Sequence, residues 1–146
     1  MNNNYLKAMD KLSFAKSDIE KLFEEAQKAK ERSFEDRAAY NIIENIIERL
    51  DTAIDRLKRY SLPTIEGRLI EDRDRSKFEL VRDNGKGLGW FFSCGDYLEV
   101  FDDGEWYSGR VEHTTKNDYT GYYFYNSDLE HPFLYEGMRV RIRREE

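Results

Sequence analysis

The first 62 residues contain neither glycine nor proline; all nine glycines and both prolines of the 146-residue chain occur from Pro63 onward. These two residue types are the strongest helix breakers, so their absence leaves the first stretch free to run as long helices. Their later clustering marks turns. A single cysteine, Cys94, excludes an internal disulfide and the stapled scaffold of small secreted domains. No apolar run approaches the roughly 20 residues of a membrane span, and the opening "MNNNYLKAMDKL" lacks the apolar centre of a signal peptide. The expectation is a cytoplasmic protein without a membrane partner.

With 39% apolar and 37% charged residues, the chain can bury one modest core or two very small ones. Charge is unevenly divided. Residues 1–62 carry 12 Lys/Arg against 12 Asp/Glu, whereas residues 63–146 carry 12 against 18, so the net charge of -6 belongs to the second part. In the first part Tyr5, Met9, Leu12, Ile19, Leu22, Phe23 and Ala26 fall on one side of a helical wheel. "SFED" at Ser33 to Asp36 places a hydroxyl three residues before a carboxylate, the pattern of a capping box that starts a second helix. The first helix should therefore end near Arg32. The second carries a broad isoleucine face and closes with Lys58 and Arg59 at its C-terminal dipole, before Pro63. That face spans roughly 160°, more than the ~100° one neighbour needs. It therefore predicts a second neighbour, either the other part of the chain or a second copy in a homodimer.

Beyond Pro63 the hydrophobic period changes to two. "TIEGRLIED", "KFELVRD", "GWFFSC", "DYLEVFDD", "EWYSGRVEHTT", "YTGYYFYN" and "MRVRIRRE" read as strands rich in β-branched and aromatic residues. Asp103-Gly104 suits a two-residue hairpin turn, and Asn84-Gly85 marks another. In the last strand Val140 and Ile142 alternate with arginines, so one face is buried and one wet. The expected fold class is α+β: an N-terminal helical hairpin over residues 1–62 followed by a small antiparallel SH3-like β-barrel over residues 63–146.

No constellation points to catalysis, and none is expected. "GKGLG" at 85–89 is superficially like a phosphate loop, but such a site needs a following helix N-terminus, and "WFFSC" reads as a strand. Cys94 and His113 lack a third orienting group, and Cys94 reads as a small buried or half-buried thiol. His113 and His131 with Asp102, Asp103 and Glu105 lack metal-ligand spacing. The reading is therefore no enzyme, no metal and no cofactor.

The aromatics either fill the core or face a partner. Alternation sets Trp106 against Tyr107 and Tyr123 against Phe124, so about half of the rings are left for a surface. The candidate partner-binding residues are Asp102, Asp103, Glu105, Trp106, Tyr107 and Tyr123, because a turn with its flanking strands projects furthest from a small barrel. Phe14 is added because it lies off the apolar stripe of its helix. Arg139, Arg141, Arg143 and Arg144 form the one basic cluster of the second part. It would contact nucleic acid as a narrow strip, or else pair with carboxylates on neighbouring strands.

The pattern "GRLI", "KFELV", "GWFFSCGDYLEVF", "EWYSGRVEHT", "GYYFY", "LYEGMRVRIR" resembles a small domain family of unknown function met on phages and conjugative elements of Gram-positive bacteria. The resemblance covers residues 64–145, and "SCGDYLEV", Trp106 to Arg110 and "EGMRVRI" are its most diagnostic pieces. It implies a barrel, a mobile-element origin and a bacterial host cell, and supplies no catalytic residues. Together with the acidic aromatic surface and the added hairpin, it leads to the expectation of a non-enzymatic inhibitor. The target would be a host defence protein with a basic surface, such as a CRISPR nuclease effector, which makes the chain an anti-CRISPR candidate. The alternative is a nucleic-acid-binding accessory module of a mobile element.

Overall fold

The computed structural model describes residues 1–116 and 118–144. Two compact units divide the chain, Met1–Leu62 and Pro63–Glu146. The first is a pair of helices, α1 (Asn3–Gln27) and α2 (Phe34–Ser61). Asn2 caps α1, its side-chain oxygen accepting from the Asn4 N–H at 2.8 Å. The capping box at the start of α2 is formed in both directions: the Asp36 N–H donates to Ser33 Oγ and the Ser33 N–H donates to Asp36 Oδ2. Helix α1 ends at Gln27, short of the expected Arg32. Past Ala26 only an alanine extends the apolar stripe, and the Lys28 and Ala29 amides bond three residues back, to Glu25 and Ala26, tightening the chain out of the α-helix.

Phe23 and Tyr40 stack across the helix pair at 4.8 Å, and Lys16 of α1 bridges to Asp51 of α2 at 2.5 Å. Ile19, Leu22 and Phe23 of α1 face Tyr40, Ile43 and Ile46 of α2 around an open apolar groove of about 590 Å³. Burial is sparse. Helix α1 has no buried residue and α2 has one, Ile54.

The second unit holds β1 (Thr64–Asp72), β2 (Lys77–Val81), β3 (Tyr97–Asp102), β4 (Glu105–Thr114), β5 (Gly121–Tyr125) and β6 (Arg139–Arg143). They form one antiparallel sheet in the order β2-β1-β6-β3-β4-β5. Alternation works as expected: Ile65 and Leu69 of β1, Phe78 and Leu80 of β2, and Val140 and Ile142 of β6 are buried on one face. There they join Leu98, Val100, Val111 and Phe124 in a single cluster. Inward side chains from both edge strands meet in that one cluster, so the sheet must curve around it. Two inward-facing glycines permit the curvature. A Cβ on Gly67 would strike the Val81 carbonyl oxygen of β2, and one on Gly109 would strike the Tyr125 carbonyl oxygen at the end of β5.

The sheet is open, with β2 and β5 as its edges and no ladder between them among the described residues; the closed SH3-like barrel is not formed by strand pairing. Each edge is instead covered by a flanking segment. The Leu88 and Phe92 amides donate to Leu80 and Phe78 of β2, while β5 exchanges bonds with Pro132 and Leu134. The first of these segments corrects the expectation that "GWFFSC" is a strand. The five residues Leu88 to Phe92 span what the three residues Phe78 to Leu80 of β2 span, so Gly89, Trp90 and Phe91 loop out of register. Cys94 is likewise exposed rather than half-buried, because it sits in the turn that the Asp96 N–H closes onto the Ser93 carbonyl.

Candidate functional site

The face of the sheet opposite the core carries two groups of side chains. The first lies where β6, β3 and β4 run side by side. The register sets Glu99 opposite Arg141 and Phe101 opposite Trp106. Glu99 is only 3% exposed and accepts hydrogen bonds from Arg141 Nε at 3.0 Å and Arg143 Nε at 2.7 Å. Burial disfavours its charge, but the hydrogen bonds from Arg143, Tyr97 and Arg141 outweigh that and hold the carboxyl below the usual carboxylate range. Arg139 pairs with Glu66 at 2.6 Å and stacks over Phe101, and Arg141 stacks over Trp106 at 4.1 Å. Carboxylates on neighbouring strands thus take three of the four arginines of the basic cluster.

The second group is a row of rings. Tyr119 stacks on Phe133 at 5.9 Å, Phe133 meets Tyr123 edge-on at 6.5 Å, and Tyr123 meets His131 at 6.2 Å. His131 then stacks on Tyr125 at 4.5 Å, and the Arg110 guanidinium covers Tyr125 at 4.2 Å. Tyr119, Phe133 and Tyr125 are 65%, 43% and 40% exposed, so the row forms a surface and not part of the core. Its loop side is held rigidly. Asn126 donates its N–H to His131 Nδ1 and its Nδ2 to the Ser108 carbonyl, and it accepts the His131 N–H on its own carbonyl. Glu130 and His131 are both kept at positive φ, +59° and +53°. Such conformations cost about 1–3 kcal/mol each in non-glycine residues and persist where the surroundings enforce them.

The residues singled out from sequence fall in three places. Asp102, Asp103 and Glu105 are exposed in the β3–β4 turn, where Asp103 and Gly104 at φ +46° and +81° form the expected two-residue connection. Trp106 lies beside them in the cation–π group. Tyr107 points to the other face, opposite Val100, and packs against the core; its hydroxyl lies 3.3 Å from Glu105, and partial burial together with that carboxylate raises its pKa. Tyr123 belongs to the ring row, opposite Glu112, which is ~20 Å along β4 from Trp106 at 3.3 Å per residue. Phe14 is 72% exposed and lies in the helical unit. The turn and Tyr123 are therefore separate surfaces of one sheet.

Sequence reasoning missed Tyr119, Tyr125, His131 and Phe133 as a set. The available signal was the density of rings between residues 119 and 135, but their loop positions have no period to show which rings meet. Among the described residues no group of three or more His, Cys, Asp or Glu side chains is placed to hold a metal ion. No helix among them is long and apolar enough to cross a membrane.

A helical pair joined to an open six-stranded antiparallel sheet, with rings and ion pairs displayed on the face away from its core, defines an α+β chain whose distinguishing chemistry lies on a surface. A family model described as a domain of unknown function, DUF5348, matches residues 67–142, just over half of the chain, and the chain belongs to that family. The match runs from within β1 to within β6 and leaves the helical pair outside. Comparison with curated proteins and with solved structures finds no match.

Proposed function

We propose that this chain is a non-enzymatic binding module that engages a protein partner through the outer face of its sheet. The observation that carries the reading is the continuous exposed row Tyr119, Phe133, Tyr123, His131, Tyr125. Rings held rigidly at a surface lose little entropy on binding and supply the anchors that dominate protein interfaces. The acidic balance of residues 63–146 favours a partner with a basic surface. A bacterial host defence protein such as a CRISPR nuclease effector is the partner we propose, an inhibitor role suggested by the resemblance to mobile-element proteins. The SH3-like character of the sheet belongs to the same proposal, as does a second contact, homodimeric in kind, through the hairpin groove beside the 62%-exposed Ile42.

The test is capture from a bacterial lysate by the intact chain, followed by assay of the captured protein's nuclease activity. Phe133→Ala with Tyr119→Ala should abolish capture at unchanged thermal stability, and Asp102, Asp103 and Glu105 changed together to Lys should weaken it. Capture unaffected by either set would refute this surface. Light scattering of the intact chain, against an Ile43→Lys and Ile47→Lys variant, reads the hairpin contact: a monomer in both removes the homodimer. Direct nucleic-acid binding is the competing reading, and ion pairing of Arg139, Arg141 and Arg143 weighs against it. A gel shift at low and moderate salt decides between them.

A further inference from the structure

We infer that the ring row receives an extended, cationic peptide segment, one in which lysine or arginine side chains lie over the rings. The inference rests on the binding-module reading and adds the chemical class of the ligand. Its first support is a precedent within the molecule: the Arg110 guanidinium already lies 4.2 Å from the centroid of Tyr125 at one end of the row. These ring faces therefore attract a delocalised cation at close range. The second is the charge around the row. Glu112, opposite Tyr123 in the ladder, already pairs with Arg110 at 2.8 Å, which leaves Asp118, adjoining Tyr119, and Glu130, adjoining His131, as exposed carboxylates beside the row. A polyanion would meet these carboxylates, whereas a cationic side chain would gain from both carboxylate and ring.

The third support is shape. The rings follow β5 and the segment bonded to its edge, so the row is linear; the Phe124 amide already donates to the Pro132 carbonyl, and the Tyr122 carbonyl accepts from the Leu134 amide. The edge of β5 is thus not open to strand addition there, and a ligand lying across the rings is read through its side chains.

A random dodecapeptide library displayed on phage, selected on the immobilised intact chain, tests the inference. Enriched peptides should carry Lys or Arg beside apolar or proline residues. Their affinity should fall at least tenfold in Phe133→Ala with Tyr119→Ala, and severalfold in Asp118→Lys with Glu130→Lys, which leaves every ring in place. All four positions are exposed, so thermal unfolding of each variant should match the parent. Enriched peptides that are acidic or uncharged but still depend on Phe133 and Tyr119 would overturn the cationic ligand and leave the binding module standing. Absence of any peptide that depends on those rings would overturn both. An oligothymidylate bound more tightly than the selected peptides, with the same dependence, would replace the peptide by single-stranded nucleic acid.

Discussion

The two helices, 25 and 28 residues long, bury a single side chain, Ile54, whereas β2 alone buries two within five residues, Phe78 and Leu80. The contrast follows from where each element finds its hydrogen bonds. A helix completes its backbone bonding internally and persists with little burial, although its stability then suffers. A strand can bond only to neighbours, and here the neighbours bring a core with them. The sheet unit therefore has a core of its own, and the helical pair has apolar surface to spare.

Separating the units should break the comparison most visibly. Residues 63–146 made alone should unfold in one cooperative transition in urea, and residues 1–62 alone should lose helix gradually, as followed by circular dichroism. Equal cooperativity in both fragments would show that the hairpin core is underestimated. Next in size, Phe124→Ala should cost about 3–5 kcal/mol, while Ile42→Ala in the hairpin should stay within about 0.5 kcal/mol, both read from denaturant midpoints. A smaller gap would mean that the groove carries real packing.

Glu99→Ala should cost roughly 3 kcal/mol, because it leaves Arg141 and Arg143 facing one another without their carboxylate. The same group gives the sheet a pH dependence. Its carboxyl is held below the ordinary value, so the unfolded chain takes up the proton first on acidification. The stability it contributes is complete above about pH 5 and is lost as pH falls through about 4.3 and on toward the lower folded value. Urea titrations between pH 3 and 6 should show this loss in the parent and a flatter profile in Glu99→Gln. A smaller effect is expected at the helix cap: Ser33→Ala removes one half of the capping box and should cost about 1 kcal/mol of helix stability.

What could be read from sequence was local. Period-two alternation located all six strands, the Ser33 and Asp36 pair located the start of α2, and Asp103-Gly104 located its turn. What could not be read depended on residues far apart in the chain. Glu99 alternates outward from the core, where a carboxylate is ordinarily wet; only the register of β3 against β6 puts two guanidiniums on it. "GWFFSC" has strand composition, yet its spacing against β2 is wrong for a ladder. The ring row joins β5 to a loop that returns along its edge, a contact that no periodicity encodes. Even the openness of the sheet is decided by those two flanking segments, which occupy the edges that closure would have paired.

The position of β6 has a consequence for how the protein is made. This strand is the last of the six in chain order yet lies inside the sheet, joining β1 on one side to β3 on the other. Before it arrives, β1–β2 and β3–β4–β5 are separate local hairpins, each with an unsatisfied inner edge. A polypeptide terminated early, or trimmed by a protease before Arg139, keeps nearly every residue of the sheet and loses the strand that unites its halves. Such truncated chains should be aggregation-prone or rapidly degraded, so completion of the whole sheet waits on the synthesis of β6.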